Sequence, residues 1–122
     1  MNDAGAIPYR ADSFGANGPW ALTQRYIDRQ RNIDLSTPVN FVTTNDIIGG
    51  NSGSPVVNRE GELVGLIFDG NIESLAGDYV YSDRQNRAVA VHTAGMTEAL
   101  RNVYALPALL KELGITEQTA SR

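Results

Sequence analysis

Cysteine is absent from this chain. That excludes disulfide scaffolds, thiolate metal sites and cysteine nucleophiles. The compartment stays open, because an exported protein can do without disulfides. Histidine occurs once, as His92. A mechanism that needs a histidine base from these residues therefore has a single candidate. Positive charge is in deficit, with 10 Lys and Arg against 14 Asp and Glu and a net charge of -4. This balance argues against nucleic acid or an anionic membrane as a partner, since neither phosphate attraction nor surface recruitment is provided for. Long apolar runs are missing too: no window approaches the about 20 residues of a membrane span. Met1 to Gly5 lacks the basic run and apolar core of a signal peptide. A signal for export would lie outside this sequence.

What is present is an ordinary globular mix: 122 residues, 42% hydrophobic and 20% charged. That suits one domain with a core that needs no covalent staples. Residues 1–18 are rich in Gly, Ala, Asn and Asp and read as a flexible lead-in. Pro19 suits a first helical turn, and Trp20, Leu22, Tyr26 and Ile27 predict a short amphipathic helix over 19–31. From Val39 the pattern turns to β. Strands are expected at 39–42, 55–57, 63–68, 79–81 and 88–92, with a hairpin turn at Asn58–Gly61. Met96, Leu100, Val103, Tyr104, Leu109, Leu110 and Leu113 predict helix over 93–113, broken at Pro107 and stopped at Gly114. Residues 115–122 read as a polar tail. The expected class is mainly β with flanking helices (α+β), with residues 19–114 as the folded unit. Short strands in this number suit a small barrel or half of a larger β fold.

The segment that carries chemistry is Gly49-Gly50-Asn51-Ser52-Gly53-Ser54-Pro55. A nucleophilic serine needs an exposed hydroxyl on a sharply turning backbone, and flanking glycines permit that turn. Ser52 is the candidate. The N–H groups of Gly50 and Ser52 can then converge on a developing oxyanion. Ser54 competes as nucleophile but lies beyond the tight turn, beside Pro55. The bland alternative is a Gly/Ser/Asn turn between two strands. It is outweighed here because the turn joins two apolar β-runs and ends in Ser-Pro-Val-Val.

The run from Thr44 to Asn58, together with Gly61 to Asn71, resembles bacterial serine dipeptidyl-peptidases of the dipeptidyl-peptidase 7 and 11 type. The resemblance covers residues 20–114 and matches only the C-terminal end of that family. It implies a chymotrypsin-like double β-barrel, of which this chain is the C-terminal half. It implies removal of dipeptides from peptides with a free N-terminus, in the periplasm or at the cell surface. Ser52 matches the nucleophile, and Gly50 and Ser52 match the oxyanion hole. Asp69 matches an acidic residue that binds the substrate's α-amine, a task suited to a carboxylate. Gly70 matches the position that sets preference at the residue before the cut. Arginine there goes with acidic side chains, so glycine implies a hydrophobic preference. Asp46 lies six residues before Ser52, where trypsin carries its specificity acid. The family has Asn-Asp-Ile here whatever its preference, so Asp46 reads as structural.

A serine nucleophile needs a base and an orienting acid. The resemblance places both in an upstream barrel that has no counterpart here. His92 does not match the family's catalytic histidine and reads as structural, and Asp78 and Asp83 lack any triad pattern. The expectation is a C-terminal fragment of a longer peptidase, inactive alone, whose partner is the missing barrel or, failing that, another copy. No metal or other cofactor is implied. Two other readings remain. One is a trypsin-like or glutamyl endopeptidase fragment. The other is a non-catalytic binding or assembly remnant.

Overall fold

The computed structural model describes residues 2–7, 19 and 21–115. Four antiparallel strands form its centre: β2 (Pro38–Thr43), β3 (Pro55–Val57), β4 (Leu63–Gly70) and β5 (Ala88–His92). The two-residue β1 (Asn2–Asp3) extends one edge, so the order is β1-β2-β5-β4-β3. Short helices flank the sheet, among them α1 (Gln24–Arg29), α2 (Thr93–Glu98) and α3 (Pro107–Glu112). The α+β class expected from the sequence is what is found. No helix among the described residues is long and apolar enough to cross a membrane.

Two small cores hold the layers together. Ile67, Ala88 and Ala90 are buried at the centre of the sheet, with Phe41, Ile47 and Val56 packed against them. The alanines at 88 and 90 let β5 sit deep between β2 and β4, each only 1% exposed. Ala4, Ile33 and Val103 form the second core, covered by Tyr26 and Val39. The first residues are thus structural, which corrects the start of the expected lead-in. Asn2 pairs with Asn40, and the Ala4 N–H donates to the Thr37 carbonyl (2.7 Å). Positions 8–18 lie outside the described residues, as do the tail positions beyond Ile115.

Other departures have local causes. The first helix is shorter than the predicted 19–31. It starts after Thr23, whose Oγ1 accepts the Tyr26 N–H, and ends in a 3-10 turn at Gln30–Asn32. The expected strand at 79–81 does not form. Both edges of β5 are already taken by β2 and β4, and the N–H groups of Tyr79 and Val80 turn back to the Ala76 carbonyl. This stretch instead closes a 3-10 segment, Ile72–Asp78. The predicted C-terminal helix breaks before Pro107. A π-helical stretch, Ala99–Val103, follows α2, and Pro107 then opens α3. Gly114, at φ 70°, stops α3 as expected.

Asp34 joins α1 to the rest. Its N–H donates to Glu98 Oε1 (2.8 Å), and its carboxylate accepts from the Ser36 hydroxyl (2.6 Å) and N–H (2.9 Å). Those two bonds, the hydroxyl first, hold its pKa below the usual carboxylate value. Their support is present above the unfolded pKa and is lost as pH falls through the lower folded value.

His92 is the N-cap of α2. Its Nδ1 accepts the Ala94 N–H (3.0 Å), and its ring meets Phe41 edge-on at 5.4 Å. Replacing His92 with Ala is expected to cost about 1 kcal/mol through the lost cap. His92→Asn should recover most of that loss. Urea unfolding of the two variants measures the difference.

Candidate active site

The loop between β2 and β3 is a pair of consecutive tight turns. In the first, the Asn51 N–H donates to the Ile48 carbonyl (3.2 Å), and Asn51 Oδ1 accepts the Ile48 N–H (2.8 Å). In the second, the Ser54 N–H donates to the Asn51 carbonyl (2.9 Å). Each turn needs a left-handed third residue, and each has glycine there: Gly50 at φ 99° and Gly53 at φ 84°. Ser52 is the second residue of the second turn, and its side chain is exposed.

The hydrogen-bond pattern leaves a selected pair of donors over. The N–H groups of Asn51, Gly53 and Ser54 are all engaged. Among the described residues, those of Gly50 and Ser52 have no partner, and neither has the Ser52 hydroxyl. Unspent N–H groups of a serine and of the residue two positions before it are the kind of donors an oxyanion requires. Ser54 is different: it is half-buried, and its N–H and carbonyl both serve to fasten the loop.

β4 carries that fastening. The Gly53 N–H donates to the Ile67 carbonyl (2.7 Å), and the Ile67 N–H donates to the Ser54 carbonyl (3.0 Å). The Ile67 side chain meanwhile lies in the core it forms with Ala88 and Ala90, against which Ile47 before the turns and Val56 after them also pack. One residue thus holds the serine loop by its backbone and contributes by its side chain to the core on which the loop's two arms pack.

Asp69 is two residues further along β4 and is exposed, with Oδ1 accepting the Gly70 N–H (2.8 Å). Gly70 is half-buried, and the room beside it is taken. A Cβ at Gly70 would collide with Ser74 Oγ and lie 3.1 Å from Ser74 Cβ. Ser74 is held there by its hydroxyl, which donates to the Asn71 carbonyl (2.6 Å). Position 70 is therefore uncharged but filled by a neighbour.

His92 stands apart from this cluster. It faces Gly65 across the sheet, whereas the serine loop is bonded at Ile67. Its Nδ1 is committed to the α2 cap. Asp46 is exposed beside the 3-10 segment, its Oδ1 4.0 Å from where a Cβ on Gly77 would sit. Among the described residues there is no cluster of His, Asp and Glu able to hold a metal. Sequence reasoning missed Asn71 and Ser74, which brace the end of β4. The only available signal was an Asx residue directly after a strand end, a common turn former.

The glycine geometry makes a direct prediction. An added Cβ at Gly53 would meet nothing within 4 Å, so its cost is purely conformational. Gly53→Ala is expected to destabilise by about 1–2 kcal/mol, read as a lower urea midpoint.

Known proteins are similar to this chain in sequence and fold. Dipeptidyl-peptidase 7 of Capnocytophaga gingivalis is 52% identical over 67 residues, which are 55% of this chain and 9% of that protein. The Asp/Glu-specific dipeptidyl-peptidase of Porphyromonas endodontalis is 51% identical over 61 residues, 50% of this chain and 8% of that protein. A crystal structure of Porphyromonas endodontalis DPP11 superposes with a TM-score of 0.81 at 26% identity, covering 92% of this chain and 17% of that one. The chain thus spans only a small part of the length of the relatives it matches. The sequence profile described as Peptidase S46 matches residues 5–115, from the N-terminal edge through the Ser52 loop to the end of α3. On that match this chain belongs to the peptidase S46 family.

Proposed function

We propose that this chain is the nucleophile-bearing part of a serine dipeptidyl-peptidase, with Ser52 as the nucleophile. The observation that carries this reading is the Ser52 loop. It combines an exposed hydroxyl with two unspent N–H groups, and it is fastened to β4, the strand that also presents the Asp69 carboxylate.

In this mechanism the Asp69 carboxylate pairs with the α-ammonium of a peptide with a free N-terminus. That pairing fixes how far the chain enters and makes the cut fall after the second residue. Ser52 Oγ attacks the carbonyl of that residue, giving its proton to a histidine base from outside this chain. The oxyanion settles on the Gly50 and Ser52 N–H groups, each donor typically worth about 3–4 kcal/mol in the transition state. The histidine returns the proton to the departing amine, and the C–N bond breaks. Water then attacks the acyl-enzyme and frees the dipeptide. An aspartate, also from outside this chain, orients the histidine. The sheet described above would be the second barrel of a two-barrel catalytic unit, and the first barrel would be its partner. The chain by itself would be inactive, since losing triad members costs orders of magnitude in rate. The resemblance to exported dipeptidyl-peptidases supports a periplasmic or cell-surface location.

For the residue before the cut we propose a hydrophobic preference. Gly70 brings no charge, and Arg87, just before the adjoining strand, directs its Nη1 to the Asp83 and Asn86 carbonyls. A preference for Asp or Glu is the competing reading, supported by the names of relatives such as the Asp/Glu-specific enzyme above.

The test uses a peptidase of the relatives' length that carries this sequence as its corresponding segment. A dipeptidyl phosphonate should add covalently to Ser52, seen by peptide mass, and Ser52→Ala should abolish the adduct. No label on Ser52 would favour a non-catalytic binding role. Asp69→Ala should lower kcat/KM on free-amine substrates about 10–100-fold, the range expected for a charged hydrogen bond. N-acetylated substrates should resist cleavage; ready cleavage of them would point to an endopeptidase. Substrates with Leu or Phe as second residue should outrun those with Asp or Glu, and the opposite order would establish the acidic preference.

A further inference from the structure

We propose that Asn71 is a positioning residue for Asp69, locking β4 in the one register that turns the Asp69 carboxylate outward. The inference rests on the reading of Asp69 as the amine-binding group.

The pairing of β4 with β5 contains an irregularity. Leu66 faces Val91 and Ile67 faces Ala90, but Asp69 faces Val89 and Gly70 faces Ala88. Phe68 is the extra residue. In an uninterrupted strand, residues 67 and 69 share a face. Ile67 points into the core at 5% exposure, so Asp69 would follow it there. The extra residue reverses the alternation, and Phe68 and Asp69 are both exposed in succession. Irregularities of this kind re-aim side chains next to active sites.

Such a ladder has a one-residue slip as its competitor. Shifting β4 beyond Ile67 by one position would restore regular pairing and exchange the faces of every later residue. Asn71 opposes that slip at the first position past the strand. Its Oδ1 accepts the Arg87 N–H (2.9 Å), and its Nδ2 donates to the Gln85 carbonyl (2.7 Å). Its own N–H donates to the Arg87 carbonyl (2.9 Å). The side-chain amide is both donor and acceptor, so it reads two successive peptide groups of the facing segment as a third strand residue would. Its carbonyl accepts the Ser74 N–H (3.0 Å) and hydroxyl (2.6 Å), which brings Ser74 over Gly70. One residue thereby fixes Asp69 on one side and the wall beside Gly70 on the other.

The experiment compares Asn71→Ala, the milder Asn71→Ser and Asp69→Ala in a peptidase of the relatives' length carrying this segment. Three quantities are read: KM and kcat on a free-amine dipeptidyl substrate, and the rate at which a small sulfonyl fluoride labels Ser52. The reagent has no amine to place, so it reports the serine loop alone. Asn71→Ala is expected to raise KM about tenfold, the scale of one or two lost hydrogen bonds. kcat and the labelling rate should stay within about twofold. Asn71→Ser decides the matter if the alanine variant does not fold. A KM unmoved by both changes, alongside a large Asp69→Ala effect, would overturn the inference and leave the amine-site reading intact. A fall in labelling that parallels the rise in KM would also overturn it, because the residue would then be merely structural. No effect of Asp69→Ala would sink the amine-site reading, and this inference with it.

Discussion

The placement of Ile67 is the constraint on which the site depends. Its side chain is the largest in the central core, wedged over the small Ala88 and Ala90. Its peptide groups hold both ends of the Gly53–Ser54 link. Hydrophobic burial and backbone hydrogen bonding therefore act through one residue. A loop of glycine, asparagine and serine has no stiffness of its own, since glycine gives up the most freedom on ordering. Its geometry is set by the strand beside it. The same strand then passes through the Phe68 irregularity and delivers Asp69, so the proposed nucleophile and the proposed amine partner share one anchor.

Most of the machinery proposed for this site is backbone. The oxyanion donors are N–H groups, and they are available because two successive turns consume their neighbours. The proposed mechanism takes its proton acceptor for Ser52 from outside this chain. The single histidine is spent elsewhere, capping α2 and packing on Phe41. Large apolar side chains also remain uncovered along the stretch after the site: Ile72 at 76% exposure, Leu75 at 71% and Tyr79 at 90%. A sheet that spans a small part of its relatives has only a small part of their apolar surface to bury against.

Several elements were legible in the residues because their causes are local. The strand at 88–92 opens with an unbroken run of alanine and valine, and the hairpin at Asn58–Gly61 carries its own turn chemistry. There Asn58 Oδ1 accepts the N–H groups of Glu60 and Glu62, and Gly61 sits at φ 82°. The Ser52 loop was legible for the same reason, since its two positive-φ positions are both glycine. The strand expected at 79–81 failed because strand-forming residues need a free sheet edge, and composition cannot reveal that β5 has none. The pairing of Asn2 with Asn40 was hidden because a two-residue edge strand has no periodicity to detect.

The sequence by itself determined the chemical type of the site: a serine between glycines, an acid at the end of a strand, and no charge at position 70. These follow from residue identity and spacing, which act over a few bonds. The tertiary structure decided which way those groups face. It spent His92 on a helix cap, filled the space at Gly70 with Ser74 and turned Asp69 outward by a shift of register. Each of those outcomes depends on which segment lies alongside, and that is settled by pairing and packing between residues far apart in the chain.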